Sequence, residues 1–359
     1  MVKSVIFTEL LKHACPSIQY RVRKELLGQP AEEPAMQAFQ RHIMEDAVVR
    51  EVIGWQQPDG WLAYDFHGRK STETGIRILC EKGVDPRSPV LTRAYKALAD
   101  YPERLERGFG KPGRLLDEAG LGGQQMALAV LFAYASIENQ PFIKPQIETA
   151  LACFESAAAL RSIADLTEIY KGKRIIRAGM NWPSIYHLRL LAWADSWRSA
   201  ENLSVVCQGI QRLIDLSPIP RFSLRYDSQL IAPASFGMDD FKPDLDALDN
   251  VSWMIWFHRM ELLARLGVTT QIPELHSQLR KLQLLLDDNG WFRLRLCHAY
   301  FRNWGAYTGL MLESDWKDLR RRMYDLTFRT LLILHHSQRH KAATMDKLPN
   351  GQPAEANLL

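Results

Sequence analysis

The chain has 359 residues, of which 47% are hydrophobic, and a formal net charge of +4 from 45 basic and 41 acidic residues. A charge this balanced argues against nucleic acid as a partner, and no stretch reaches the roughly 20 consecutive apolar residues that would cross a bilayer. The apolar run at the amino terminus is broken by Lys3, Glu9 and Lys12 and has no clear cleavage site, so we expect a cytoplasmic protein without a secretory signal.

Two-helix units can be read about six times along the chain, at a spacing of roughly 50 to 65 residues. In these units the first helix is the more apolar one, as expected of a helix enclosed on most sides. The predicted helices are 16–27 with 34–52, 72–82 with 88–100, 124–137 with 144–160, one starting at 183 with 199–216, two within 243–292, and 300–312 with 314–335. The glycine-rich segment 108–123 is predicted to be a loop.

Strand-type alternation is nearly absent, so the predicted fold class is all-α. Six helical hairpins with apolar first helices favour an α/α toroid, in which an inner ring of helices lies within an outer ring. We expect a single toroid domain over residues 1–339. Residues 340–359 have turn formers and few large apolar side chains, which predicts a disordered C-terminal tail.

The segment that opens with PDLD is the most informative part of the sequence. Asp244, Asp246 and Asp249 precede an apolar helix that carries Trp253 and Trp256. Carboxyl groups beside aromatic faces suit proton donation and the stabilisation of cations. We therefore expect these acidic side chains to face an apolar cavity.

A tight helical hairpin is predicted within this segment. Gly267 is placed to stop the first helix, and Pro273 is placed in the first turn of the second. The second helix has a single apolar stripe, which predicts an outer position; its members are Ile272, Leu275, Leu279, Leu282 and Leu286.

With the motifs WQQPDGW, DDNGWF and PDLD, the chain resembles the terpenoid cyclase and protein prenyltransferase toroid superfamily, most closely the squalene-hopene cyclase type of repeat. WQQPDGW, with Gln56, Gly60 and Trp61, is similar to that family's QW motif, in which a glutamine and a tryptophan staple successive helix pairs. DDNGWF at 287–292 is a second copy without the glutamine.

PDLD resembles the start of the family's DxDD motif, whose central aspartate protonates an alkene or epoxide to begin cyclisation. Asp244, Asp246 and Ala247 fall on the three acidic places, so the resemblance implies Asp246 as the proton donor. The last aspartate is absent, and Asp249 is offset by two residues, which places it on a different side of a helix. The implied catalytic set is therefore Asp246 with Asp244 and Asp249.

Aromatic side chains are the candidates for substrate binding, because their π faces could line a cavity and stabilise cations. His187 could act as an acid or base at the mouth of the ring. Each site residue also has a structural interpretation, since aspartates often cap helices and large aromatics on buried helices are core residues more often than not. The predicted substrate-binding residues are Trp253, Trp256, Tyr186, His187, Trp304 and Tyr307.

No cofactor or metal is expected. Five cysteines without a C-x-x-C pair argue against a disulfide framework and a cysteine-rich zinc site. His298 beside Cys297 suggests zinc, which related toroids bind, but the other ligands of a four-coordinate site are lacking. Mg²⁺ is expected only if the substrate is a diphosphate.

The partner is expected to be an apolar small molecule. Lys171, Lys173, Arg174 and Arg177 are predicted to share one loop, which could contact anionic lipid head groups. We expect at most peripheral membrane contact, and solvated surface charge is the more frequent role of such runs.

Three functions are compatible with the sequence. The first is a squalene- or terpene-cyclase-like protein that binds or transforms an isoprenoid, with Asp246 as the acid. The second is a non-catalytic toroid that binds a lipid or peptide. The third is a carbohydrate-active double ring, in which two inner carboxylates roughly 5 to 9.5 Å apart act on a glycosidic bond; Asp240 with Asp246, or Glu73 with Asp65, would have to converge.

Overall fold

Helices dominate the computed structural model, which describes residues 2–297 and 311–345. A π-helical turn, Val22–Leu26, continues the second helix, and 3-10 turns lie at Pro102–Leu105 and Leu245–Ala247. The predicted all-α class is confirmed. The α-helices are α1 (Val2–His13), α2 (Pro16–Arg21), α3 (Pro34–Met44), α4 (Ala47–Ile53), α5 (Thr72–Lys82), α6 (Pro89–Asp100), α7 (Glu106–Glu118), α8 (Gln124–Tyr134), α9 (Ile143–Ala159), α10 (Ile163–Leu166), α11 (Ile185–Trp193), α12 (Ala200–Leu216), α13 (Asn250–Leu266), α14 (Pro273–Leu284) and α15 (Leu319–Met345).

Most predicted helices lie close to their expected positions, but two predictions were wrong. The predicted helix 34–52 is divided, because the Asp46 side chain accepts hydrogen bonds from the backbone N–H groups of Val48 and Val49 and starts α4 there. The glycine-rich segment is only partly a loop, since the chain is helical from Pro112 onward in α7. The predicted helix 300–312 lies almost wholly outside the described residues.

Five helices pack against one another in chain order. Helix α5 contacts α8, α8 contacts α11, α11 contacts α13, and α13 contacts α15. Helix α15 also contacts α2 and its π-helical extension. One apolar core extends from Tyr20 to Ile333, and a smaller core joins α1, α2 and α15. The last described helix is therefore packed against the first ones.

The predicted hairpin of α13 and α14 is confirmed. Gly267 ends α13 with a left-handed φ of 87°, and Pro273 is in the first turn of α14. Helix α13 is buried on almost all sides, whereas α14 buries a stripe that includes Leu275 and Leu282. Within the described ranges, no helix combines the length and the apolar content needed to span a bilayer.

Two short β-hairpins interrupt the helices, and the sequence did not predict them. Strands β1 (Thr167–Tyr170) and β2 (Lys173–Ile176) pair antiparallel, as do β3 (Leu224–Tyr226) and β4 (Gln229–Ile231). The expected basic loop is thus a tight hairpin, with Lys171 at φ 47° and the following glycine at φ 74°. A two-residue turn with both residues in the left-handed region matches the twist of antiparallel strands.

The turns before Trp61 and Trp291 share the same backbone hydrogen bonds. In each turn the residue four positions earlier donates its N–H to the tryptophan carbonyl, at 2.7 Å for Gln57 and 2.8 Å for Asp287. The glycine before each tryptophan has a left-handed φ, 98° in the first turn and 86° in the second. The two DGW-like sequences therefore encode one local structure.

Gln56 ties the first of these turns to α6. Its amide nitrogen donates to the carbonyl of Gly60 at 3.0 Å and to the carbonyl of Val90 at 2.9 Å, and its amide oxygen accepts from Arg93. The glutamine thus links the turn to the next helix, α6.

Replacing Gly60 by alanine is expected to destabilise the protein by about 2–4 kcal/mol. A residue with a Cβ is strained at a left-handed φ, and the added Cβ would also be too close to neighbouring atoms. An added Cβ would lie 2.8 Å from the Arg93 carbonyl oxygen. Gly179 is the matched control: it has φ 77° but no atom within 4 Å of an added Cβ, so Gly179→Ala should cost only about 1–2 kcal/mol. Urea unfolding of both variants measures the difference, and equal losses would contradict the predicted contact at Gly60.

Candidate functional site

The two aspartates of the PDLD segment lie on the surface. Asp244 is the N-cap of a 3-10 turn that precedes α13, Asp246 lies within that turn, and their side chains are 65% and 80% exposed. Both pair with Lys281 of α14, at 3.4 and 3.0 Å. The expectation that they face an enclosed apolar cavity was wrong, because Leu248 is extended and separates this turn from the start of the helix.

Asp249 is the N-cap of α13. Its carboxylate accepts a hydrogen bond of 2.7 Å from the backbone N–H of Ser252. This backbone hydrogen bond lowers the pKa of Asp249, because it stabilises the charged form. The capping interpretation is confirmed for this residue.

Trp253 and Trp256 belong to a buried aromatic cluster. Their ring centroids are 5.2 Å apart, and Phe257 and Phe292 pack against Trp253. The indole nitrogen of Trp256 donates to the Gln278 side-chain oxygen at 2.8 Å. These contacts are those of a packed core at the start of α13.

His187 is fully buried and is engaged at the start of α11. Its Nδ1 accepts a hydrogen bond of 2.8 Å from the backbone N–H of Ser184, and its Nε2 lies 3.7 Å from the Cys153 sulfur. Burial lowers the pKa of His187 to about 3, so the ring is neutral at pH 7. The structure places this histidine in a helix-capping role.

Tyr186 meets a buried carboxylate that the sequence did not place beside it. Its hydroxyl donates to Glu73 Oε1 at 2.8 Å, and His67 Nδ1 lies 2.5 Å from Glu73 Oε2. Burial favours a higher pKa for Glu73, but the hydrogen bonds from His67 and Tyr186 outweigh it and lower that pKa. Trp304 and Tyr307 lie outside the described residues.

A cavity of about 350 Å³ lies among six helices. Its walls come from the middle and C-terminal parts of α2, α5, α8, α11, α13 and α15. Aromatic walls are provided by Tyr20, Tyr134 and Trp193, and the Arg265 guanidinium lies 4.0 Å from the Trp193 ring centroid. Cationic side chains outnumber carboxylates in the lining, with Arg21, Lys24, Arg77, Arg265 and Arg339 against Glu25 and Glu81.

Ion pairs within and between helices lie around this cavity. Glu261 accepts hydrogen bonds from Arg265 at 3.0 Å and from Arg329 at 3.3 Å. Glu25 accepts from Arg21 at 2.5 Å and from Arg265 at 2.6 Å. Burial alone would raise the pKa of Glu25, but the two arginines hold it well below its usual range. These buried charges are thus paired and hydrogen-bonded, which offsets the cost of removing them from water.

Arg77 differs from its neighbours in this network. Its side chain is 3% exposed and lines the cavity, yet its two terminal nitrogens are buried and have no hydrogen-bond partner in the described part of the chain. A buried polar group without a partner is uncommon in folded proteins.

The charged lining was not among the predicted site residues, although the sequence carries a signal for it. Glu73, Arg77 and Glu81 recur at four-residue intervals on α5, as do Glu261 and Arg265 on α13. Residues four apart share one face of a helix. On a helix as apolar as α13, a charged stripe of this kind indicates that charged side chains face the interior of the protein and not the solvent.

No family model matches the chain, and the comparisons with curated proteins and with solved structures found no match. Among the described residues, no group of three or more His, Cys, Asp or Glu side chains is arranged to hold a metal ion. The cavity is therefore the feature of the described structure that bears on function.

Proposed function

We propose that the protein is an α/α toroid that binds a small charged organic molecule in the cavity among its inner helices. The proposed inner ring consists of α2, α5, α8, α11, α13 and α15. The order of helix contacts supports a ring, because α15 returns to α2. Ion pairs support the same closure: Glu81 of α5 lies 3.4 Å from Arg21 of α2 and 3.7 Å from Arg329 of α15.

The cation-rich lining, drawn from six helices, is the observation that carries this proposal. A hydrocarbon placed against these groups would remove their water without replacing its hydrogen bonds, which is costly. A charged head group would replace those bonds, and Trp193 and Tyr134 offer apolar surface for the rest of a ligand.

An isoprenoid is compatible with this lining when it carries a charged head such as a diphosphate. The resemblance to cyclases and prenyltransferases motivates that choice of probe. Asp246 has no part in this proposal, because its carboxylate is exposed and paired with Lys281. The carbohydrate alternative has less support, because none of its four candidate carboxylates is among the residues that line the cavity; they belong to Asp65, Glu73, Asp240 and Asp246.

The test is isothermal titration calorimetry of the full chain with farnesyl diphosphate, inorganic diphosphate, farnesol and squalene in one detergent, with and without Mg²⁺. Saturable binding is expected for the two diphosphates and not for farnesol or squalene. Trp193→Leu should weaken farnesyl diphosphate binding by about 5- to 10-fold through the lost aromatic contact, whereas Trp291→Leu, outside the cavity, should not. Binding of squalene without binding of either diphosphate would overturn the proposal.

A further inference from the structure

The Arg77 guanidinium is a buried charge that lacks a hydrogen-bonding acceptor. Its side chain is 3% exposed, and Nη1 and Nη2 have no partner in the described structure. Removing an arginine from water without an acceptor is unfavourable, and natural proteins keep such groups mainly where a ligand or another function needs them.

The carboxylates nearest to Arg77 on its own helix are engaged elsewhere. Glu73, one turn before, bonds to Tyr186 and His67. Glu81, one turn after, lies within ion-pair distance of arginines on α2 and α15. Neither carboxylate supplies the hydrogen-bond acceptor that Arg77 lacks.

Charged groups of both signs lie near Arg77. The cations include Arg189, whose guanidinium donates to His258 Nε2 of α13 at 3.3 and 3.2 Å. Burial lowers the pKa of His258 well below its usual value, and the nearby charges of Arg189, Arg77 and Arg329 lower it further. The carboxylates of Glu73 and Glu81 are already paired, so an anion that enters beside Arg77 would bring the acceptor that its terminal nitrogens lack.

Two residues with hydroxyl groups, the half-buried Tyr134 and the exposed Ser136, line the same cavity as Arg77. The left-handed φ of 57° at Ser136 belongs to the C-terminal cap of α8, in which the N–H of Ser136 donates to the Ala133 carbonyl and the N–H of Ile137 donates to the Phe132 carbonyl.

We propose that Arg77, together with the hydroxyls of Tyr134 and Ser136, binds a single oxyanion, a carboxylate or phosphate group of the ligand. This inference rests on the proposed function and specifies which part of the ligand the cavity recognises. The planar guanidinium offers two parallel donors, which fit the two oxygens of a carboxylate or phosphate.

The experiment measures, by calorimetry, the binding of inorganic phosphate, diphosphate and acetate to wild type, Arg77→Gln and Arg77→Lys. Phosphate and diphosphate test recognition of a phosphate group, and acetate tests recognition of a carboxylate. Arg77→Gln should weaken binding of the preferred anion by about 10- to 100-fold, because a charge-assisted hydrogen-bonded pair is lost. Arg77→Lys should retain part of the anion affinity, since lysine keeps the positive charge but lacks the two parallel N–H donors of arginine.

Arg259→Gln is the matched control, because Arg259 is equally buried, donates to the Gly237 carbonyl at 3.0 Å and does not line the cavity. Its anion affinity should equal that of wild type.

Thermal unfolding adds a second readout. Arg77→Met should not lower the melting temperature of the unliganded protein, and phosphate should no longer raise that temperature. Equal affinities of wild type and Arg77→Gln would overturn this inference alone. Absence of saturable binding of any probe to wild type would overturn the proposed function as well.

Discussion

Glu261→Gln is expected to destabilise the protein by about 3–5 kcal/mol, because it leaves buried arginines without their shared carboxylate. Glu261 is 5% exposed and bonds to Arg265 at 3.0 Å and to Arg329 at 3.3 Å, and Arg21 lies 3.9 Å away. Glutamine keeps the shape of the side chain and removes only the charge. Urea unfolding followed by circular dichroism measures the change in the free energy of unfolding.

The matched control for this substitution is Glu106→Gln. Glu106 pairs with Arg114 at 2.9 Å, but both side chains are about half exposed, 48% and 51%. An exposed pair of this kind contributes roughly 0–1 kcal/mol, so the control should unfold almost like wild type. A loss for Glu261→Gln as small as that of the control would show that the inner arginines do not depend on this carboxylate.

The sequence predicted helices and their ends well, because those features depend on neighbouring residues. Gly267 stops α13, Pro273 begins α14, and the apolar stripe of α14 follows from its own spacing. The β-hairpin at Lys171 was missed although its turn is local, since short strands rich in basic residues lack the alternation that marks a half-buried strand.

The polar interior was not predicted, because the partners of each charge lie far apart in the chain. Glu25 and Arg265 form a hydrogen bond across 240 positions. In the sequence alone, a charged residue on a helix is expected to face solvent. Only the packing of α15 against both α13 and α2 turns these charges inward.

The aspartates before α13 were predicted to face a cavity, but Asp244 and Asp246 are exposed. A short run of aspartates before a helix is compatible with a catalytic cluster and with caps and turns, because both uses need carboxylates at that place. The structure uses Asp249 as a cap and leaves Asp246 on the surface with Lys281. Position relative to the cavity decides between the two uses, and that position is a tertiary property.

Glu313 connects both ends of the described chain. It is 2% exposed, accepts a 2.7 Å hydrogen bond from the backbone N–H of Cys15, and accepts another of 3.1 Å from Arg321. Burial raises the pKa of Glu313 to about 7, and the nearby carboxylate of Asp325 adds to the shift. The folded protein therefore holds a proton at this site that the unfolded chain releases near pH 4.5.

Glu313→Gln is accordingly expected to gain stability relative to wild type as the pH rises. Because the folded pKa is the higher one, the contribution of Glu313 to stability is present below about pH 4.5, declines as the pH approaches 7, and is constant above that. The decline amounts to at most about 3 kcal/mol, and glutamine, which does not titrate, removes it. Urea unfolding of both proteins at pH 5, 6, 7 and 8 should show the difference in unfolding free energy shifting in favour of the variant by about 2–3 kcal/mol. A difference that stays constant over this range would mean that Glu313 is already ionised in the folded protein at pH 5, with Arg321 neutralising it.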